Sequence, residues 1–260
     1  MQNIIKKTVL LSLVVSSLWS MNAVEIVDSV NARDDGERVT RALKMELTDK
    51  HGKKRVQETI YFRKYYGKDK KSIMFYKKPK RVKGTGFLTY DYVDKEDEQW
   101  LYLPALRKVR RVSSSDRGDW FLGTDFSYED IKKEGKISKD DYSFKLLGEE
   151  KVDGHEVYKL ESLTKNELIA DELGYSKLIT YIDKNIFITR KVLFYDTRGE
   201  LLKTLTSTDI AKIDGIWTIR HMHMKNHQNS HVSDFYFSNI DYKKEVKDNL
   251  FTSGSLKRGK

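Results

Sequence analysis

Apolar and polar residues alternate along much of this chain, with a period of two. Across residues 43–48, Leu43, Met45 and Leu47 are separated by charged or hydroxyl side chains, which gives one apolar and one polar face. The sequence DKHGK at residues 49–53 predicts a hairpin loop, and residues 56–65 predict the returning strand. The same alternation recurs in residues 142–147, 156–163, 177–182, 186–195, 200–208, 216–225 and 231–240. This pattern predicts about ten or eleven antiparallel strands in meander order, which favours a strongly curved or barrel-like sheet.

Short segments of the chain carry helical signals instead. Residues 25–32 have an apolar stripe at helical spacing. Ser127 and Asp130 have the spacing of a capping box, which predicts a helix start. Residues 169–173 predict another short helix, because Gly174 follows as a typical C-terminal stop.

The N-terminus has the pattern of a secretory signal. Lys6 and Lys7 precede an apolar stretch at residues 8–19, and small or polar residues then lead to Ala23, after which we expect cleavage. An uncleaved anchor is the alternative, since Met21 at position −3 is not small, although the stretch is short for a bilayer span. The chain contains no cysteine, which excludes lipoprotein acylation and disulfides. We therefore expect an exported, soluble protein.

After a signal at residues 1–23, residues 24–260 are predicted to form one domain. The only two prolines, Pro79 and Pro104, lie within an aromatic-rich block, and no Gly/Ser-rich linker interrupts the alternating segments. A hydrophobic fraction of 38% beside 34% charged residues is typical of a folded domain with a heavily solvated exterior.

Residues 84–131 contain the most characteristic sequence of the chain. Aromatic-rich segments lead to WLYLP at residues 100–104, a basic run follows, and WFLGTDF occupies residues 120–126. Together with ARDDGERVTRALKMELTDKHGKKR at residues 32–55 and LFTSGSLKRG at residues 250–259, this block resembles the outer-membrane lipoprotein-sorting protein family, relatives of the LolA and LolB carriers. The resemblance implies a mainly β (α+β) fold in the periplasm. The expected architecture is a single, incompletely closed antiparallel β-barrel with short helices that lid or plug an apolar cavity.

Trp120, Phe121 and Phe126 lie in a Gly- and Asp-rich segment that lacks strand alternation. Apolar side chains in such a segment either cap a core or cover a cavity mouth, and the residues alone leave both alternatives open. With the resemblance to a lidded carrier, we predict that residues 119–131 line or cover the cavity mouth. The apolar face of the first strand is predicted to add three side chains to the same lipid-binding cavity: Leu43, Met45 and Leu47.

The formal net charge is +10, and two basic clusters stand out, one around Pro79 and one after Pro104. Export argues against nucleic acid as the partner of this charge. The second cluster is therefore predicted to dock anionic lipid head groups or a partner protein, with an ordinary solvated exterior as the alternative. Its members are Arg107, Lys108, Arg110 and Arg111.

Recognisable catalytic motifs are missing from the sequence, including the G-x-S-x-G elbow, the H-E-x-x-H helix and the P-loop. Three serines at residues 113–115 are more typical of a turn than of a nucleophile. His221 and His223 share one face of a strand, but a four-residue loop at residues 226–229 would place His231 on the opposite face. We therefore predict no catalytic residue, no metal site and no cofactor.

Two classes of function remain. The first is a monomeric periplasmic carrier for lipid or lipoprotein acyl chains, working beside a membrane exporter of the resistance-nodulation-division type or with an outer-membrane acceptor. The alternative is a lipid hydrolase, phospholipase-like, that holds its substrate in the same cavity. We predict a carrier rather than an enzyme, because the sequence offers no catalytic group.

Overall fold

The computed structural model describes residues 21–259, so most of the predicted signal peptide lies outside the described residues. Within this range the chain forms thirteen strands and four α-helices. The strands are β1 (Arg38–Thr48), β2 (Lys54–Tyr66), β3 (Asp69–Lys78), β4 (Gly86–Asp91), β5 (Glu98–Leu103), β6 (Lys108–Val112), β7 (Tyr142–Val152), β8 (His155–Thr164), β9 (Lys177–Asp183), β10 (Thr189–Tyr195), β11 (Leu201–Ile213), β12 (Ile216–Asn226) and β13 (Val232–Asp241). The helices are α1 (Ala23–Ala32), α2 (Tyr128–Lys133), α3 (Glu167–Leu173) and α4 (Ser253–Arg258). Across residues 21–259, no helix has the length and apolar character to cross a membrane.

All thirteen strands belong to one antiparallel sheet that is not closed into a barrel. The strand order is β6-β5-β4-β3-β2-β1-β13-β12-β11-β10-β9-β8-β7. The chain thus runs from the middle of the sheet to one edge, crosses to the other edge through residues 113–141, and returns to the middle. There β13 pairs with β1, with Met45 opposite Phe235. We call residues 113–141 the crossing segment.

The predicted fold, an incompletely closed antiparallel β-barrel with short helices, is confirmed. The predicted number of strands is too low, because neither β3 nor β6 shows a clean alternation of apolar and polar residues. The meander order holds within each half of the sheet, whereas the β1–β13 pair joins strands from opposite ends of the chain.

The sheet curves around its own core. One cavity is lined by residues from β1 to β3 and from β7 to β13, and strands that far apart in the order can share a cavity only if the sheet bends around it. Inward-facing side chains from both halves form the largest cluster of buried residues, and the crossing segment adds Phe121, Phe126 and Tyr128 to it. The interior of the half-open barrel is therefore filled partly by its own connection.

The helices cover different faces of this sheet. In α1, Ile26, Val27 and Val30 are buried against a cluster that includes Leu160 of β8. On the face of β3 that points away from the cavity, Leu256 of α4 packs with a separate buried cluster. The predicted helices α1, α2 and α3 are confirmed, whereas α4 was not predicted.

Asn22 is the N-cap of α1, because its side chain accepts hydrogen bonds from the backbone N–H groups of Val24 and Glu25, both at 3.0 Å. Cleavage after Ala23 would remove this cap. The predicted cleavage site remains a prediction.

Candidate binding cavity

A cavity of about 220 Å³ lies inside the curved sheet. Much of its wall is apolar, because strand alternation turns every second side chain inward. The apolar wall includes Leu43, Met74, Val192, Phe194, Leu205, Met222, Met224, Phe235 and Phe237. Such an apolar wall suits a hydrocarbon chain.

The crossing segment covers part of this cavity. Phe126 lines the cavity and stacks on Phe235 of β13, with ring centroids 4.1 Å apart. Phe121 is fully buried but lies outside the cavity. It packs against Phe87, with ring centroids 5.0 Å apart. Trp120 is 42% exposed. The three aromatic residues of the predicted gate therefore occupy a cavity wall, the core and the surface, respectively.

The buried side chain of Lys203 in β11 holds the crossing segment against the sheet. Its side chain is only 1% exposed, although lysine is rarely buried. The Nζ atom donates to the Asp130 carboxylate at 2.6 Å and to the backbone oxygen of Asp125 at 3.1 Å. It also lies 4.7 Å from the ring centroid of Phe194 and 5.0 Å from that of Trp120. One buried cation thus holds two points of the segment.

Asp125 forms a second attachment, to β13. Its buried carboxylate accepts a hydrogen bond from the Ser233 hydroxyl at 2.7 Å and lies 2.5 Å from Nδ1 of His231. The Asp125 backbone N–H donates back to the Ser233 oxygen at 2.9 Å. These bonds satisfy a carboxylate that would otherwise be buried without partners.

A charged cluster closes one side of the cavity. Glu134, which follows α2 directly, lies 2.5 Å from Arg41, 3.8 Å from Arg63 and 3.7 Å from Lys70. Burial alone would raise the pKa of the Glu134 carboxyl, but the three cations outweigh it and lower that pKa to about 2. Arg63 also pairs with Asp35 at 2.6 Å. The end of α2 is therefore attached to β1, β2 and β3 by charges.

Of the apolar residues predicted to line the cavity, Leu43 and Phe126 do so. Met45 and Leu47 are fully buried in the core beyond it. The buried ionic contacts were missed. The signal that could have found them is a lysine or arginine at an inward position of a strand, as with Lys203, which lies two residues from the cavity residue Leu205.

The four predicted docking residues lie at a sheet edge. Arg107 precedes β6 and the other three belong to it, and all four side chains are exposed. Among the strands of residues 21–259, β6 pairs only with β5. Charged residues on an edge strand also discourage pairing with another chain, so their exposure fits both docking and edge protection. Their docking role remains a prediction.

The histidines separate as predicted, although the predicted hairpin register is wrong. A loop at residues 226–229 would place His223 opposite Val232, whereas His223 lies opposite Asp234. Both His221 and His223 contact the Asp234 carboxylate at 2.9 Å, while His231 points to the other face and reaches Asp125. The serines at 113–115 begin a short 3₁₀ turn, with the Ser113 hydroxyl 2.8 Å from that of Ser115.

Comparison with known proteins identifies the family. A family model described as an uncharacterized protein matches residues 68–258. A solved domain from Vibrio parahaemolyticus, named for outer membrane lipoprotein sorting, is 31% identical with a TM-score of 0.82, and the match covers 91% of this chain and 98% of that chain. This chain belongs to the outer membrane lipoprotein-sorting protein family.

Two further structures place the lipoprotein-sorting fold in context. A DUF1329 family protein from Desulfovibrio piger is 29% identical with a TM-score of 0.82, over 89% of this chain and 96% of that chain. A LolA superfamily protein from Nitrosomonas europaea is 20% identical with a TM-score of 0.69, over 91% of this chain and all of that chain, and it shows likeness of fold alone. No curated protein matches this chain.

Proposed function

We propose that this lipoprotein-sorting family member is a periplasmic carrier that holds the acyl chains of a lipid or lipoprotein. The observation that carries the proposal is the apolar cavity inside the curved sheet, covered by the crossing segment. Related proteins named for lipoprotein sorting support it. The hydrolase alternative, the exporter and the outer-membrane acceptor stay predictions.

The size of the cavity implies that the crossing segment moves. Ligand pockets commonly measure roughly 300–1,000 Å³, whereas this cavity measures about 220 Å³. A long acyl chain therefore enters only if the segment shifts away from the sheet. Each methylene group that becomes buried contributes about 0.8 kcal/mol, so a bound chain can offset the contacts that the segment loses.

The attachments of the crossing segment suit such a movement. The segment is held by side-chain contacts from Lys203, His231 and Arg41. These contacts are separate from the backbone hydrogen bonds that pair the strands. Releasing them leaves all twelve strand pairings of the sheet unchanged. The carrier can therefore open without unfolding its sheet, and the polar contacts reform when the cargo leaves.

A matched pair of leucines tests the carrier. Leu205 of β11 lines the cavity, while Leu193 of the neighbouring strand β10 packs in a cluster on the opposite face, and both are partly buried. We expect Leu205→Asn to weaken binding of a fluorescent acyl probe by about tenfold, since an unpartnered amide in an apolar site costs ~1–3 kcal/mol. Leu193→Asn should leave affinity per folded molecule within about twofold. Equal effects of the two substitutions would exclude this cavity as the acyl site.

A further inference from the structure

We call the cavity inside the curved sheet the acyl cavity. A second pocket lies on the same inner face of the sheet, at a different end of the strands. Its volume is about 300 Å³, and it shares no lining residue with the acyl cavity. The crossing segment contributes Leu122 to this pocket and Phe126 to the acyl cavity. Apolar side chains of Leu103 and Pro104 form another part of its wall. The second pocket is therefore a separate site that the proposed carrier function leaves unexplained.

A buried amide faces this pocket without a partner. Gln57 of β2 is 3% exposed and lines the pocket, and within the described residues its Oε1 atom has no hydrogen-bond partner. Buried side-chain oxygens are almost always hydrogen-bonded in folded proteins. A ligand that brings a hydroxyl or amine donor into the pocket would supply this oxygen with a partner.

Two arginines complete the lining. Arg55 and Arg81 are both exposed and both border the pocket. Within residues 21–259, neither guanidinium group forms an ion pair or a side-chain hydrogen bond. Guanidinium groups bind phosphate with matched, charge-assisted hydrogen bonds, so two unpaired arginines beside one pocket favour a phosphate ligand.

The surroundings extend this positive charge over one end of the sheet. The strand register places Lys78 at the end of β3 opposite Glu58 near the start of β2, and Lys108 at the start of β6 opposite Leu103. Further exposed basic residues at this end are Lys53, Lys54, Lys80 and Lys83. Glu58 is already paired with Lys78 at 3.0 Å. This end of the molecule therefore presents a positive surface around the pocket.

We propose that the second pocket binds the head group of an anionic glycerophospholipid and docks this end of the protein on a membrane surface. Arg55 and Arg81 bind the phosphodiester, and a glycerol hydroxyl of the head group donates to Oε1 of Gln57. The positive surface around the pocket meets the neighbouring anionic lipids. A recessed pocket with a buried acceptor suits a small head group better than the flat face of an acidic protein. This site acts whether or not the cavity inside the curved sheet holds acyl chains.

The test is binding of the full chain to phosphatidylcholine vesicles that contain phosphatidylglycerol. The double variant Arg55→Gln/Arg81→Gln should weaken partitioning by about thirtyfold, which corresponds to about 1 kcal/mol for each arginine. The matched control Lys145→Gln/Lys151→Gln removes the same charge from exposed positions of β7, at the opposite edge of the sheet. It should change partitioning by less than about threefold. Equal losses in the two double variants would overturn the pocket.

Two further arms test the head group and its source. Replacing phosphatidylglycerol with phosphatidylmethanol keeps the charge but removes the hydroxyls, so wild-type binding should weaken, whereas Gln57→Leu should bind both vesicles equally. A Gln57→Leu variant that still prefers phosphatidylglycerol would refute the hydroxyl contact. Soluble glycerophosphoglycerol should compete only weakly with the vesicles. Tight binding of this soluble ester, or no vesicle binding by the wild type, would overturn membrane docking and point to a solute or an acidic protein.

Discussion

Replacing Lys203 with methionine tests whether one buried cation secures the crossing segment. Methionine keeps most of the apolar stem of lysine but removes the ammonium group. The substitution therefore deletes the 2.6 Å contact to Asp130 and the 3.1 Å bond to the Asp125 backbone oxygen. It also removes a cation from contact with the rings of Trp120 and Phe194.

The expected loss follows from what remains at Asp130. Breaking a buried ion pair by removing one partner costs about 3–5 kcal/mol, because the other charge stays buried. The Asp130 carboxylate still accepts hydrogen bonds from the Ser127 backbone N–H at 2.8 Å and from the Tyr175 hydroxyl at 3.4 Å. We therefore expect Lys203→Met to lower the free energy of unfolding by about 3 kcal/mol, at the lower end of that range.

A double-mutant cycle measured by urea unfolding checks this value. Asn at position 130 can still accept the Ser127 hydrogen bond, so Lys203→Met/Asp130→Asn should cost about 1 kcal/mol or less relative to the wild type. Hydrogen exchange in the crossing segment should accelerate in the single variant and return towards normal in the double variant. A single-variant loss below about 1 kcal/mol, or strictly additive losses, would refute the reasoning.

Three further predictions concern charge and the gate. The pKa of the Glu134 carboxyl is about 2, below its usual value. The ionised carboxylate therefore stabilises the folded state by about 3 kcal/mol. This stabilisation is fully present above about pH 4.5 and is lost as the pH falls towards 2. In urea titrations at several pH values, the gap between wild type and Glu134→Gln should therefore shrink on acidification, and a constant gap would contradict the assignment. Ser substitutions at Arg107, Lys108, Arg110 and Arg111 should weaken binding to anionic vesicles with little change in melting temperature, whereas unaltered binding would leave edge protection as their role. Phe126→Ala should lower acyl-probe affinity per folded molecule, because Phe126 lines the cavity, whereas Phe121→Ala should lower the melting temperature, because Phe121 is buried in the core; the gate fails if Phe126→Ala lowers stability alone.

The strands of this fold could be predicted where one face is apolar and the other is solvated. β3 fails that condition, because Ile73 and Phe75 pack under α4 while Met74 and Tyr76 face the core. A strand that is buried on both faces shows a continuous apolar run without alternation. The pairing of β1 with β13 could not be predicted from local pattern, since it depends on which distant edges meet.

The cavity could be predicted only in part, for a related reason. Apolar residues at inward positions point to a core or to a cavity equally well, and the backbone path decides between them. Leu43 and Met45 belong to the same face of β1, yet only Leu43 reaches the cavity. The attachments of the crossing segment depend on contacts between residues up to 108 positions apart, such as Asp125 with Ser233, which no local spacing reveals.

Native mass spectrometry of the protein purified from a periplasmic extract tests the central claim most directly. Bound lipid would be released, extracted and identified, and the Leu205→Asn and Leu193→Asn variants would be purified in parallel. The carrier account predicts stoichiometric, chemically intact lipid or lipoprotein acyl chains on the wild type and on Leu193→Asn, with clearly lower occupancy on Leu205→Asn. Protein that emerges free of lipid in all three preparations, or that carries only fatty acid and lysolipid and turns over added phospholipid, would contradict it.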